Sequence, residues 1–208
     1  MHNFSQIFRS TGLALCLPAS AALADLTAAD VWEDWKSYMA SAGYEVTASE
    51  ASAGGTLTVS GLNMAMDIGD DTGEGTLTVG MDTIRFVEQG DGSVAIELPE
   101  ATVFSMAFDP DTGEDIDATI DFTQTEPSMT ATGDPGDLTY TYNASAAEAV
   151  MSSLPVDGIA IGKDIADFGI KMSDVAYVTD TRVGTVRNII QSMDVAGLSF
   201  NFIFAEPE

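Results

Sequence analysis

Long runs of period-two alternation, two of them broken by a one-residue slip, constrain this chain more than any other feature. Leu57 and Val59 alternate with threonine and serine, and Leu62, Met64, Met66 and Ile68 then continue on the opposite parity. Leu77, Val79 and Met81 slip in the same way to Ile84 and Phe86. Val94, Ile96 and Leu98 precede Phe104, Met106 and Phe108; Ile116, Ala118, Ile120 and Phe122 form another clean run, and Leu138, Tyr140 and Tyr142 a shorter one. Such alternation marks half-buried antiparallel strands with one apolar and one wet face. A slip inside a continuous strand requires a bulge if one face is to stay buried, and bulges in consecutive long strands curl a sheet into a trough. The segments between runs, such as Gln89-Gly90-Asp91-Gly92, are short and rich in turn formers, so sequence neighbours should be sheet neighbours. The expected fold is mainly β with a minor α part: a long, curled antiparallel meander.

A single strong helix precedes the sheet. Thr27 suits the N-cap, with Asp30, Glu33 and Asp34 near the positive end of the dipole. Val31, Trp32, Trp35, Tyr38, Met39 and Ala42 make one apolar face, and Gly43 is a natural left-handed stop. The polar face is acidic, which favours packing on the protein's own sheet over a membrane surface. Later signals are weaker. Ser145-Ala146-Ala147-Glu148 reads as a capping box opening a short helix to Leu154, stopped by Pro155. Phe168, Ile170 and Met172, then Val175 and Tyr177, resume the slipped alternation, while Val186 to Met193 fits helix or strand equally. Leu198, Phe200, Phe202 and Phe204 form a last apolar strand, an aggregation hazard if its edge is exposed. Either the chain is a truncated product or that strand closes back on an earlier one. Thr56-Leu57-Thr58-Val59 recurs at Thr76 to Val79, and Asp71-Thr72-Gly73-Glu74 at Asp111 to Glu114, through either a repeated hairpin or chance.

The N-terminus sets the compartment. One basic residue, Arg9, the apolar stretch Leu13 to Leu17 and the small-residue pattern Ala22-Leu23-Ala24 predict a signal peptide over residues 1–24 and a periplasmic location. Residues 25–208 would form a single β-rich domain. Cleavage would discard His2 and Cys16, the only histidine and the only cysteine. Cys16 is no lipidation site, because Leu15 precedes it where a small residue is wanted. No later stretch is long and apolar enough for a transmembrane helix. The formal net charge is −26, and the few basic residues are scattered, which excludes nucleic acid and anionic lipid surfaces as electrostatic partners.

Without histidine or cysteine, zinc, blue-copper, thiol and serine–histidine chemistries drop out, and no phosphate loop or nucleophile elbow is present. No enzyme activity and no cofactor are expected. Asp109, Asp111, Glu114 and Asp115 crowd one turn and make a candidate calcium site, competing with the plainer reading of an acidic hairpin. The sharper expectation is an apolar ligand face of Met64, Met66, Met81, Phe86, Phe104, Met106 and Phe108, since flexible methionines and aromatics suit a lipid-like ligand as well as an ordinary core. An outer-membrane barrel, or an envelope assembly protein with a protein partner, is the competing reading. Oligomeric state is not legible.

The segments Asp25-Leu-Thr-Ala-Ala-Asp-Val-Trp-Glu-Asp-Trp-Lys36, Gly43-Tyr44 and Thr56-Leu-Thr-Val-Ser-Gly61 resemble an uncharacterised bacterial family, domain of unknown function 2125. The resemblance implies an exported protein, mainly alphaproteobacterial in distribution, with this helix followed by a long β-region. It covers residues 25–68 best. Family members are usually longer than this chain, and the family has no assigned activity or site residues to carry over.

Overall fold

The computed structural model describes residues 25–69, 73–110 and 114–205, and the side chains of residues 73, 74, 109 and 110 are not part of that description. Over these residues it is mainly β, with one helix and one antiparallel sheet. Helix α1 spans Ala28–Ser41, and its start is fixed as the sequence requires. Thr27 accepts from the Asp30 amide while Asp30 accepts from the Thr27 amide, a reciprocal box that satisfies two donors. Gly43, at φ 93°, carries the chain out of the helix in the left-handed region. The strands follow as β1 (Glu45–Ala53), β2 (Thr56–Asp67), β3 (Gly73–Glu88), β4 (Val94–Glu97), β5 (Ala101–Pro110), β6 (Ile116–Thr125), β7 (Ser128–Asp134), β8 (Asp137–Ser153), β9 (Pro155–Val156), β10 (Ile159–Ala160), β11 (Ala166–Val183) and β12 (Arg187–Phe204).

The pairing reduces these strands to a simple meander. β4 and β5 run one after the other along β3, and β6 and β7 run one after the other along β8. Each pair is therefore one long strand with an interruption, and every long strand hydrogen-bonds its sequence neighbour, as the short turns demand. β9 and β10 form a small hairpin beside the start of β6. The predicted helix from Ser145 to Leu154 is overturned: Ser145–Ser153 belong to β8, and Ala146–Val150 pair on both sides, with β6 and β11. Ladder bonds to two neighbours outweigh a local cap signal. Val186–Met193, ambiguous by period, leads into β12 and is strand from Arg187 onward.

The slips read from the sequence line up in space. Pairing is interrupted between Ser60 and Leu62 against Thr83 and Met81, at the β4–β5 and β6–β7 junctions, around Ser145 against Asp174, and around Asp174 against Ala196. On β1 the register shifts between Thr47 and Ser49. These points form one crease across the sheet. Gly61, Glu126 and Asp174 sit on it at φ of 61°, 50° and 48°, the left-handed backbone that such bends use. Crossing the crease switches parity, so Leu57 and Val59 on one side and Leu62 on the other are all buried, as are Ile84 and Phe86 with Val79. One apolar face is thereby kept on the inside of a curled sheet.

The helix lies in that curl. Val31, Trp32 and Met39 pack with Leu57, Val59, Leu62, Ile84, Phe86, Val94, Ile96, Ala131, Leu138 and Tyr140. Trp35 meets Phe86 edge-on at 5.3 Å and Tyr140 at 6.4 Å. The helix N-terminus is tied to the far strand end by Glu88, whose carboxylate accepts from the Ala28 amide at 3.1 Å. This is the half of the sheet that α1 covers.

Candidate functional site

Beyond the helix, the inner face stays partly open. A cavity of ≈ 370 Å³ lies between the end of α1 and the sheet, lined by Trp35, Tyr38 and Met39 of the helix, Leu62 and Met64 of β2, Val79 and Met81 of β3, Phe104 of β5 and Ile189 of β12, among others. A second, of ≈ 360 Å³, continues from it, sharing Met81 and Phe104 and reaching Phe122, Tyr142, Met172 and Met193. Together they make one apolar trough under the crease. Phe104 and Phe122 meet edge-on at 6.3 Å across β5 and β6 and form part of its floor.

The polar groups are few and placed at defined points. Asp34 of α1 accepts from Arg187 Nη1 at 2.7 Å and from Tyr140 Oη at 2.8 Å. The ion pair is nearly buried, its side chains 15% and 10% exposed. Arg187 also lies over the Tyr38 ring, 5.8 Å from its centroid. Burial first, and then the Asp34 charge and hydrogen bond, push the Tyr140 phenol far above its ordinary range. Its hydroxyl is a neutral donor at any physiological pH. This triad fastens the helix to the first residue of the last strand and closes one end of the trough.

The second polar point repairs the sheet at the crease. Pro99 and Pro127 lie at the junctions in the two interrupted strands, where a ladder donor is missing. Gln124, 7% exposed, spans the gap: its amide N–H donates to the Glu100 carbonyl at 2.8 Å and its Nε2 to the Pro99 carbonyl at 2.6 Å. Tyr142 Oη donates to Gln124 Oε1 at 2.6 Å. Burial raises the Tyr142 phenol as well. Both side-chain polar atoms of Gln124 are engaged, so it lines the second cavity without costing an unpaired side-chain group.

The predicted ligand-face residues separate into three groups. Met64, Met81 and Phe104 line the trough. Met66, Met106 and Phe108 sit farther out on the same strands, outside both cavities; Met66 and Phe108 are half-buried and Met106 is 39% exposed. Phe108 lies across Gly75, where a Cβ would come within 2.8 Å of its ring, so a side chain at that point would have to displace it. Phe86 is corrected: it is fully buried under Trp32 and Trp35 and belongs to the core. It faces the same side of the sheet as the trough, but lies on the helix side of the crease. Of the calcium candidates, Asp111 and the Asp109 side chain lie outside the described residues, while Glu114 and Asp115 are exposed. Asp115 is engaged through its backbone, exchanging bonds with Asp157. Among the described residues, no group of three or more acidic, histidine or cysteine side chains could hold a metal.

Sequence reasoning missed Asp34, Arg187, Tyr140 and Gln124 as members of the site. A signal existed for Gln124: it continues the parity of Ile120 and Phe122, and a polar residue at an inward position needs partners. No protein-family model, curated protein or solved structure matches the chain.

Proposed function

We propose that the protein is an exported, periplasmic, non-enzymatic carrier that holds a lipid-like ligand in the trough. The observation that carries this reading is the trough itself: two adjoining cavities, each in the size range of small-molecule sites, with methionine and aromatic walls and with the Asp34–Arg187 pair and Gln124 already engaged. Such a surface favours acyl chains, and the rest of its polar lining is the neutral side chains of Thr102, Thr179, Thr181 and Gln191. The polarity of the sheet supports the same reading over a membrane barrel. Outward positions such as Asn63, Thr78, Asp121 and Lys171 are polar, whereas a spanning barrel carries its apolar band outside. The resemblance of residues 25–68 to the exported domain of unknown function 2125 agrees with the address.

Organic extraction of the purified protein followed by mass spectrometry tests the reading. Acyl lipids in stoichiometric amount are the expected result, together with uptake of a fluorescent naphthylamine probe that added fatty acid displaces. A preparation that carries no lipid and takes up no probe overturns it.

A further inference from the structure

β12 is an unusual edge. It is 18 residues long and, among the described residues, pairs with β11 alone. Its inward side chains past the crease are exposed, Phe200 by 77%, Phe202 by 69% and Phe204 by 78%. Natural edges are usually kept apart by charge, bulges or brevity. The opposite edge follows that rule: β1 is nine residues long and carries Glu45 and Glu50. β12 contains only Arg187 and Asp194 as charged residues, and Arg187 is already neutralised by Asp34. In a chain of net charge −26, this edge is the strip along which two copies repel least.

We infer that the occupant of this edge is a second copy of the same chain, pairing antiparallel through β12 about a twofold axis between Val195 and Ala196. The sequence of β12 is self-complementary in that register. Ile189 falls opposite Phe202, Met193 opposite Leu198, and Ser192 opposite Ser199, with no like charges facing each other. The parity switch of β12 also lies between Val195 and Leu198, so inward residues meet inward residues on both sides of the crease. The two apolar inner faces become continuous. Taking about 200 Å² for a phenylalanine side chain, the three exposed rings leave roughly 450 Å² in water. That is more than half of the ~800 Å² each partner gives to a standard interface, and Leu198 and Met193 add to it.

Sedimentation equilibrium of the purified protein over a range of concentrations tests this, with two charge variants at exposed, outward positions. The parent protein is expected to be dimeric in the micromolar range. Ser192→Glu combined with Ser199→Glu places carboxylates opposite each other twice and should weaken the dimer at least tenfold. Ser192→Glu combined with Ser199→Lys should restore it, with added salt sensitivity. Far-UV circular dichroism confirms that each variant is folded. A parent protein that stays monomeric, or a dimer indifferent to both variants, overturns the proposal; a dimer lost equally in both overturns its register.

Discussion

The Asp34–Arg187–Tyr140 triad is the one place where a single substitution should separate the helix from the closing strand. Asp34→Ala removes the acceptor of two bonds, from Arg187 at 2.7 Å and from Tyr140 at 2.8 Å. Arg187 would keep a long contact of 3.5 Å to the Asp34 carbonyl and its position over Tyr38. Breaking a buried pair by removing one partner costs about 3–5 kcal/mol. The residual exposure of 15% and 10% argues for the lower end of that range. The orphaned Tyr140 hydroxyl adds roughly 1 kcal/mol, giving about 4 kcal/mol in all. That is a large share of the net stability of a domain, about 5–15 kcal/mol. Replacing both charges by groups of similar shape, Asp34→Leu with Arg187→Met, removes the desolvation penalty together with the attraction. The double variant should recover most of the loss, and the triple variant with Tyr140→Phe added should lie within about 1 kcal/mol of the parent. Urea unfolding followed by the fluorescence of Trp32 and Trp35, on the same helix, measures each term, and the cycle isolates the coupling. If the double variant loses as much as the two singles added together, the triad is not a coupled unit and the latch argument fails.

Other positions separate core from trough. Phe86→Ala should cost about 3–5 kcal/mol in the same assay, as expected for a fully buried ring. Phe104→Ala, on the trough floor, should cost less but reduce the affinity of the naphthylamine probe severalfold; unchanged probe binding would remove Phe104 from the site. Gly133→Ala should fail to fold stably, because at φ 108° a Cβ would press into the Asp137 carbonyl of the hairpin. Alkali should destabilise the protein. Folding raises the Tyr140 and Tyr142 phenols above their unfolded value of about 10, so their contribution is whole below that pH. It is then lost as pH rises further, by up to roughly 1.4 kcal/mol per pH unit for each phenol. Tyr140→Phe should flatten part of that slope in pH-dependent urea melts.

The sheet, its neighbour pairing and its curl were legible because they depend on local signals: alternation gives strands, short turns give adjacency, and parity slips give bends. The capping box at Thr27 was legible for the same reason. Ser145–Glu148 has the same kind of local signal and became strand, since a segment between two long strands gains two ladders of hydrogen bonds. The helix could offer it only one cap. Phe86 and Phe104 look alike in one dimension. What separates them is which side of the crease each occupies, and that depends on where a 14-residue helix comes to rest. The triad was illegible because its members are separated by 106 and 153 residues, and no pattern in the sequence pairs an acid with one arginine at that distance.

A helix of this length covers only half of an inner face that long strands create, and that mismatch underlies the whole arrangement. Over the covered half, apolar side chains are buried to a few per cent; over the other half, Met106, Leu198 and the three last phenylalanines stand open. Exposed apolar surface of this extent normally drives aggregation. Two features oppose it here. The outward face is polar and the chain strongly acidic, so copies repel each other over most of their surface. The neutral edge at β12 leaves one direction in which they can meet, and a contact there is closed by its twofold axis rather than open-ended. A substitution that neutralised the glutamates of β1 would remove that asymmetry. With both edges uncharged, β12 of one copy could pair with β1 of the next without closure, and filaments should replace dimers.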